Sequence, residues 1–239
     1  MSPVQSQLPP LSDAERAHVA QVSAAVRAEI AGAGGQLPFD RFMDLALYAP
    51  GLGYYVAGAR KFGREGDFVT APEVSPLFGR CLARSCAALL AVTGGGDILE
   101  LGAGSGRLAV DLLQELERLD SLPERYVILE VSPELQARQR ALLAAECGAL
   151  STRVQWLERL PEPGFRGVIL GNELLDALPV QRVRRAPQGW QEGMVTDQGG
   201  RGFAMHWDAP VTPGLESAMA AVEAAVGGLP EGFETEFNL

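Results

Sequence analysis

The residues best able to do chemistry lie in one heptapeptide, Glu100-Leu101-Gly102-Ala103-Gly104-Ser105-Gly106. It sits where a short apolar run, Asp97 to Leu101, gives way to a helical pattern from Gly106 to Leu119. Glycines at a strand-to-helix turn reach positive φ and let a ligand approach bare backbone. The helix start behind them offers free N–H groups to negative or electron-rich atoms. Two cofactor classes use this geometry. A dinucleotide needs Gly-x-Gly-x-x-Gly, whereas here the last glycine comes one position early and Arg107 stands where it should be. Glu100 would also repel a pyrophosphate, but it suits the ammonium of a zwitterionic methionyl group. A phosphate-binding loop is excluded because no Gly-Lys-Ser/Thr follows. The remaining alternative is a turn with a structural role alone.

A second acid favours the cofactor reading. Glu130 ends the next apolar run, Val127-Ile128-Leu129-Glu130, after one intervening helix. A carboxylate there can accept both hydroxyls of a ribose. Trp156 and Leu157, at the end of a third run, can flank an adenine ring, although Trp156 reads equally well as a core residue. The fourth run leads into Gly171-Asn172-Glu173-Leu174-Leu175-Asp176-Ala177-Leu178-Pro179. In an open α/β sheet the carboxyl ends of the strands line the ligand crevice. Asn172, Glu173 and Asp176 are therefore the candidate catalytic residues: a pair of acids can hold a guanidinium or amine and help remove its proton. Helix capping by Asn172 and a solvated Glu173 is the plainer account of the same residues.

The elements needed to position these groups are legible in the pattern. Ser12 and Glu15 form a capping box for a helix whose stripe runs from Ala14 to Ile30 and which Gly32 ends. A second helix spans Phe39 to Tyr48, and Ser75 caps a third that reaches Val92. Gly94-Gly95-Gly96 marks a change of character. From there strands Asp97–Leu101, Tyr126–Val131, Val154–Leu157 and Gly167–Leu170 alternate with helices Gly106–Leu119 and Glu134–Glu146, the latter opened by Ser132-Pro133. Alternation with short connections predicts parallel β-α-β units in a doubly wound α/β sheet. After Val180 the runs Gln181–Arg185, Trp190–Thr196 and Gly202–Trp207, separated by Gly-containing turns, predict an antiparallel meander, followed by a helix from Leu215 to Val226. The expected division is an N-terminal helical and lid segment at 1–93, a cofactor-binding core at 94–180, and a meander with its helix at 181–239.

Composition narrows the function classes. Thirty carboxylates against 20 Lys and Arg give a net charge of −10 over 239 residues, a surface that repels phosphate backbones and disfavours nucleic acid as the main partner. The three cysteines and two histidines show no metal-ligand spacing, so no metal is expected. Cys81 and Cys86 read as small buried hydrophobes of an intracellular, reducing compartment, and a cytoplasmic location is expected. No run approaches about 18 uninterrupted apolar residues, so no membrane span is expected, and the N-terminus lacks the pattern of a secretory signal.

With these residues in hand, the sequence resembles the MidA-like family of methyltransferases, which includes a mitochondrial assembly factor for respiratory complex I. The resemblance is carried by Phe39-Asp40-Arg41-Phe42-Met43 through Pro50, by Gly51-Leu52-Gly53-Tyr54-Tyr55, by Gly66-Asp67-Phe68-Val69-Thr70-Ala71-Pro72-Glu73 and by Ser75-Pro76-Leu77-Phe78-Gly79. It continues through the glycine turn, Glu130-Val131-Ser132-Pro133, and Asn172 to Val180. It implies a Rossmann-like class I methyltransferase sheet with a helical N-terminal lobe. It also implies S-adenosylmethionine as cofactor at Glu100, Gly102, Ala103, Gly104, Gly106 and Glu130, with Gly66 to Pro72, including Thr70 and Pro72, as a lid. The family member's activity implies symmetric dimethylation of a protein arginine, with a respiratory complex subunit as partner. By that analogy Glu173 and Asp176 handle the arginine. Related chains are longer, and a methyltransferase sheet has seven strands where four are counted; either the sheet lacks its second half or the sequence is a piece of a longer one. The competing readings are a non-catalytic assembly factor that keeps the fold as a scaffold, and a nucleotide-dependent oxidoreductase.

Overall fold

The computed structural model describes residues 11–56 and 70–239. Helices α1 (Asp13–Gly32), α2 (Phe39–Tyr48), α3 (Ala71–Val74) and α4 (Pro76–Thr93), with the short strand β1 (Leu37–Pro38) between α1 and α2, precede strand β2 (Asp97–Leu101). Helix α5 (Arg107–Arg118), β3 (Tyr126–Leu129), α6 (Pro133–Cys147), β4 (Val154–Leu157) and β5 (Gly167–Gly171) follow. The chain ends with β6 (Gln181–Ala186), β7 (Gly189–Asp197), β8 (Phe203–Asp208), α7 (Leu215–Val226) and β9 (Glu234–Phe237).

The chain falls into two compact units. Residues 70–177 form the first. Its four strands are all parallel, in the order β4-β3-β2-β5. Ile98, Tyr126, Ile128, Val154 and Val168 from the strands share one core with Ala83, Cys86 and Leu90 of α4, Leu112, Leu113 and Leu116 of α5, and Leu143 of α6. Near-continuous apolar strands are what a parallel sheet packed under helices requires. Gly167 has no substitute in this sheet: a Cβ there would lie 1.9 Å from the Asp97 carbonyl oxygen on the neighbouring strand.

Residues 11–56 and Leu178–Leu239 form the second unit. β7 pairs antiparallel with β8 along one edge, and with β6 and then β1 along the other, while β9 extends the sheet beyond β6. Val26, Ile30, Leu37 and Val195 make one core with Phe42 and Phe203 packed against it. Val183, Leu215 and Met219 make another. The capping box of α1 is present: the Ser12 hydroxyl accepts the Glu15 N–H at 3.3 Å and Glu15 accepts the Ser12 N–H at 2.6 Å.

The alternating strands and helices, the meander and the last helix lie where the sequence predicts them. Three expectations change. The N-terminal boundary at residue 93 is replaced, because the line Gly79, Ala83, Cys86 and Leu90 buries α4 in the parallel-sheet unit, while Leu37 pairs with Val195 in the meander. β9 was not foreseen; it lies just beyond Pro230 and Gly232. Cys81 is exposed, since it lies on the outward side of α4, whereas Cys86 and Cys147 are buried. Helix α4 is 18 residues long and apolar enough on average to cross a membrane by length and composition, although Arg80 and Arg84 interrupt it; one face of it, Gly79, Ala83, Cys86 and Leu90, is buried. The proline-rich start of the chain and the lid residues 66–69 lie outside the described residues.

Candidate functional site

From β2 the chain proceeds to β3 and β4 on one side, then crosses back to place β5 on the other. Strand order reverses between β2 and β5, which is where open α/β sheets bind ligands beyond their carboxyl ends. Leu101 and Gly171 are partners there. A shallow, open cleft lies at this point, lined by Thr70, Pro72, Glu73, Glu100, the turn from Gly102 to Ser105, Leu108 and Asn172.

The turn has the conformation its composition predicts. Gly102, Gly104 and Gly106 have φ of +67°, +54° and +85°, a region that side chains disfavour. Ser105 accepts the Arg107 N–H at 3.2 Å and donates its hydroxyl to Glu73, tying α3 to the mouth of the cleft. Arg107, the residue that breaks the dinucleotide pattern, clamps the helix start instead: it binds Asp111 at 2.8 Å and Glu146 of α6 at 2.7 Å.

Two acids stand buried beside the turn. Glu100 is only 3% exposed and accepts the Tyr126 hydroxyl at 2.7 Å. Burial pushes its carboxyl up to about 7, the charge of Glu130 adds to this, and the Tyr126 hydrogen bond opposes it. The Tyr126 phenol is likewise raised by its own burial. Glu130, also buried, accepts the Ser132 N–H at 3.0 Å and the Gln139 amide at 3.2 Å; burial raises its pKa against these hydrogen bonds. Acids whose pKa is raised by burial in this way mark a candidate functional site.

The structure brings together most, but not all, of the residues singled out from the sequence. Glu100, Gly102, Ala103, Gly104, Asn172, Thr70 and Pro72 line the cleft; Gly106 closes the turn and Glu130 follows the adjoining strand. Glu173 and Asp176 do not line it and are exposed. Glu173 instead takes φ of +51°, rare for a residue with a side chain. Leu174 then packs inward, with a methyl 3.0 Å from where a Cβ on Gly102 would be. Trp156 and Leu157 do not reach the cleft either. The Trp156 ring packs on the core, under the Arg140 guanidinium at 3.8 Å. Leu157 lines a separate hollow of about 240 Å³ with Asp97, Arg125 and Phe165. Among the described residues no group of three His, Cys, Asp or Glu could hold a metal ion.

Three contributors went unread in the sequence. Tyr126 looks like one more apolar strand residue, and Glu73 has no nearby acid to single it out. Gln139 did leave a signal: it is a polar residue on the buried line Leu135, Leu143 and Cys147 of α6.

Comparison with known proteins agrees with this geometry. A family model for S-adenosyl-L-methionine-dependent methyltransferases matches residues 81–239. A solved Burkholderia thailandensis protein with S-adenosyl-homocysteine bound is 42% identical, covers 97% of this chain and 59% of its own, and superposes with a TM-score of 0.82. The fruit-fly homologue of the protein arginine methyltransferase NDUFAF7 is 30% identical over 82% of this chain and 49% of its own. The human NDUFAF7 protein is 30% identical over 67% of this chain and 42% of its own. The chain thus spans about half the length of the curated relatives it matches. The fly, zebrafish and human relatives are mitochondrial proteins, which corrects the cytoplasmic location expected from cysteine usage: free thiols report only a reducing milieu and do not distinguish compartments that share one. Fold, turn and family model converge, and the chain belongs to the family of S-adenosyl-L-methionine-dependent methyltransferases.

Proposed function

We propose that the cleft beside the glycine turn binds S-adenosylmethionine and that the protein transfers its methyl group to nitrogen, with an arginine of a protein as substrate. The observation that carries this reading is the meeting of a positive-φ glycine turn and the buried Glu100 at the switch point of a parallel sheet, with the buried Glu130 at the end of the neighbouring strand β3. The residues fit the cofactor: bare backbone from Gly102 to Gly106 admits close approach, Glu100 suits an ammonium, and Glu130 suits ribose hydroxyls. When bound, S-adenosylmethionine supplies an electrophilic methyl on sulfur. The chain's own part is to align the acceptor nitrogen with it, exclude water and remove the nitrogen's proton. Asn172, at the carboxyl end of β5, is the cleft residue placed to orient that nitrogen. Glu173 and Asp176, exposed beside it, are assigned to the guanidinium of an arriving protein chain. Their nearest support is that the fly and human relatives carry the name protein arginine methyltransferase. A respiratory complex subunit is the partner this reading assigns, from the family resemblance alone.

Calorimetry tests the cofactor. The protein should bind S-adenosylmethionine, and Glu130→Ala should bind it about tenfold or more weakly, the loss of hydrogen bonds to a charged acceptor. No binding by the intact protein ends the proposal. Binding without methyl incorporation into any protein from labelled cofactor would leave the site and remove the transfer, favouring a scaffold.

A further inference from the structure

Gln139 is wholly buried, yet every polar atom of its side chain is engaged. Its amide nitrogen donates to the Gly104 carbonyl at 2.9 Å and to Glu130 at 3.2 Å. Its oxygen accepts the Trp156 indole N–H at 2.8 Å. An indole nitrogen only donates, so the amide can face one way only. The oxygen must meet Trp156, and both amide hydrogens are left for the turn and the acid. The hydrogen-bond partners, not the density of atoms, thereby fix the orientation of this side chain.

The contact reaches the turn itself. A Cβ on Gly106 would lie 3.2 Å from the Gln139 Cγ, so the glycine there admits Gln139 as well as its own positive φ. On the far side, Glu130 accepts the Ser132 N–H with one oxygen and Gln139 with the other. Each oxygen keeps a lone pair for an incoming hydroxyl, and a carboxylate held by donors on both oxygens is oriented to accept rather than donate.

We infer that Gln139 is a positioning residue for the cofactor's ribose: it locks the Glu130 carboxylate to the Gly104 peptide so that the acid meets a ribose diol while the turn meets the rest of the nucleoside. Trp156 acts through it, by fixing the amide. This rests on the reading of the cleft as a cofactor site. It assigns Trp156 a place behind the acid instead of against an adenine.

The test uses the intact protein and two ligands, S-adenosyl-homocysteine and its 2′-deoxyribose counterpart. The wild type should favour the ribose form by about tenfold, the worth of one hydroxyl bound to a charged acceptor. In Gln139→Leu that preference should fall to about twofold or less, because Glu130 is no longer aimed, while the deoxy ligand should bind nearly as before. A merely structural role for Gln139 predicts the opposite: both affinities fall together and their ratio is kept, which overturns the inference. Should Gln139→Leu fail to fold, Trp156→Phe keeps an aromatic ring but removes the indole N–H with part of the ring, and must lower the same ratio; an unchanged ratio there overturns it too. If the wild type binds neither ligand, it is the cofactor reading that has failed.

Discussion

Replacing Glu100 by Gln should stabilise the protein at alkaline pH and do so in a pH-dependent way. The carboxyl titrates near the ordinary 4.5 when the chain is unfolded and at about 7 when folded. Between those values the folded state holds the proton and the unfolded state does not, so stability falls as pH rises through the window. A tenfold change in proton affinity is worth about 1.4 kcal/mol. The acid therefore costs the fold about 1 kcal/mol at pH 5 and about 3 kcal/mol at pH 8. Glutamine keeps the shape and can still accept the Tyr126 hydroxyl, which removes the titration and little else. Urea denaturation of both proteins at the two pH values gives the double difference. The advantage of Glu100→Gln should be about 2 kcal/mol larger at pH 8 than at pH 5. An advantage that is the same at both pH values would refute the claim that burial raises this acid. The same substitution should weaken S-adenosylmethionine binding, as expected of a costly group kept for function.

Three further outcomes follow from the same contacts. Affinity for S-adenosylmethionine should rise about fivefold from pH 6 to pH 7 as Glu100 ionises, and calorimetry on Glu100→Gln should show no such rise. Gly106→Ala forces a side chain to φ of +85° against Gln139; it should cost about 1–3 kcal/mol by denaturant titration and impair cofactor binding. In the meander unit, buried Glu192 accepts the N–H groups of Val211 at 2.7 Å and Thr212 at 3.0 Å, and the Thr212 hydroxyl. Glu192→Ala strands these donors and should cost about 3–5 kcal/mol, a loss visible as a lowered melting temperature.

The sheet unit was readable because local rules and tertiary need agree there. Apolar strands, capped helices and glycine turns each announce themselves within a few residues, and the acid after the second strand falls where the fold requires it. What escaped was set by contacts distant in sequence. β1 is two residues long and becomes a strand only because Val195 and Met194 lie beside it. β9, with exposed Glu234 and Glu236 alternating with half-buried Thr235 and Phe237, has a period-two pattern too short to outweigh the turn signals before it. In the site, the sequence leaves Trp156 open between an adenine contact and a core residue, because its position at a strand end suits either; in the structure its ring packs on the core. Glu173 and Asp176 were grouped with Asn172 by adjacency, yet the left-handed backbone at Glu173 separates them from the cleft.

The pairing of Leu37 with Val195 carries a consequence for how the molecule comes into being. Residues 70–177 contact mainly one another and can close their sheet as soon as β5 has left the ribosome. The other unit cannot: its first helices emerge early, but the strand that receives Leu37 is made only after the entire parallel sheet. Until then Val26, Ile30 and Phe42 have no sheet to cover them. During synthesis the four-stranded parallel sheet can thus form before residues 11–56 have the strand they pair with.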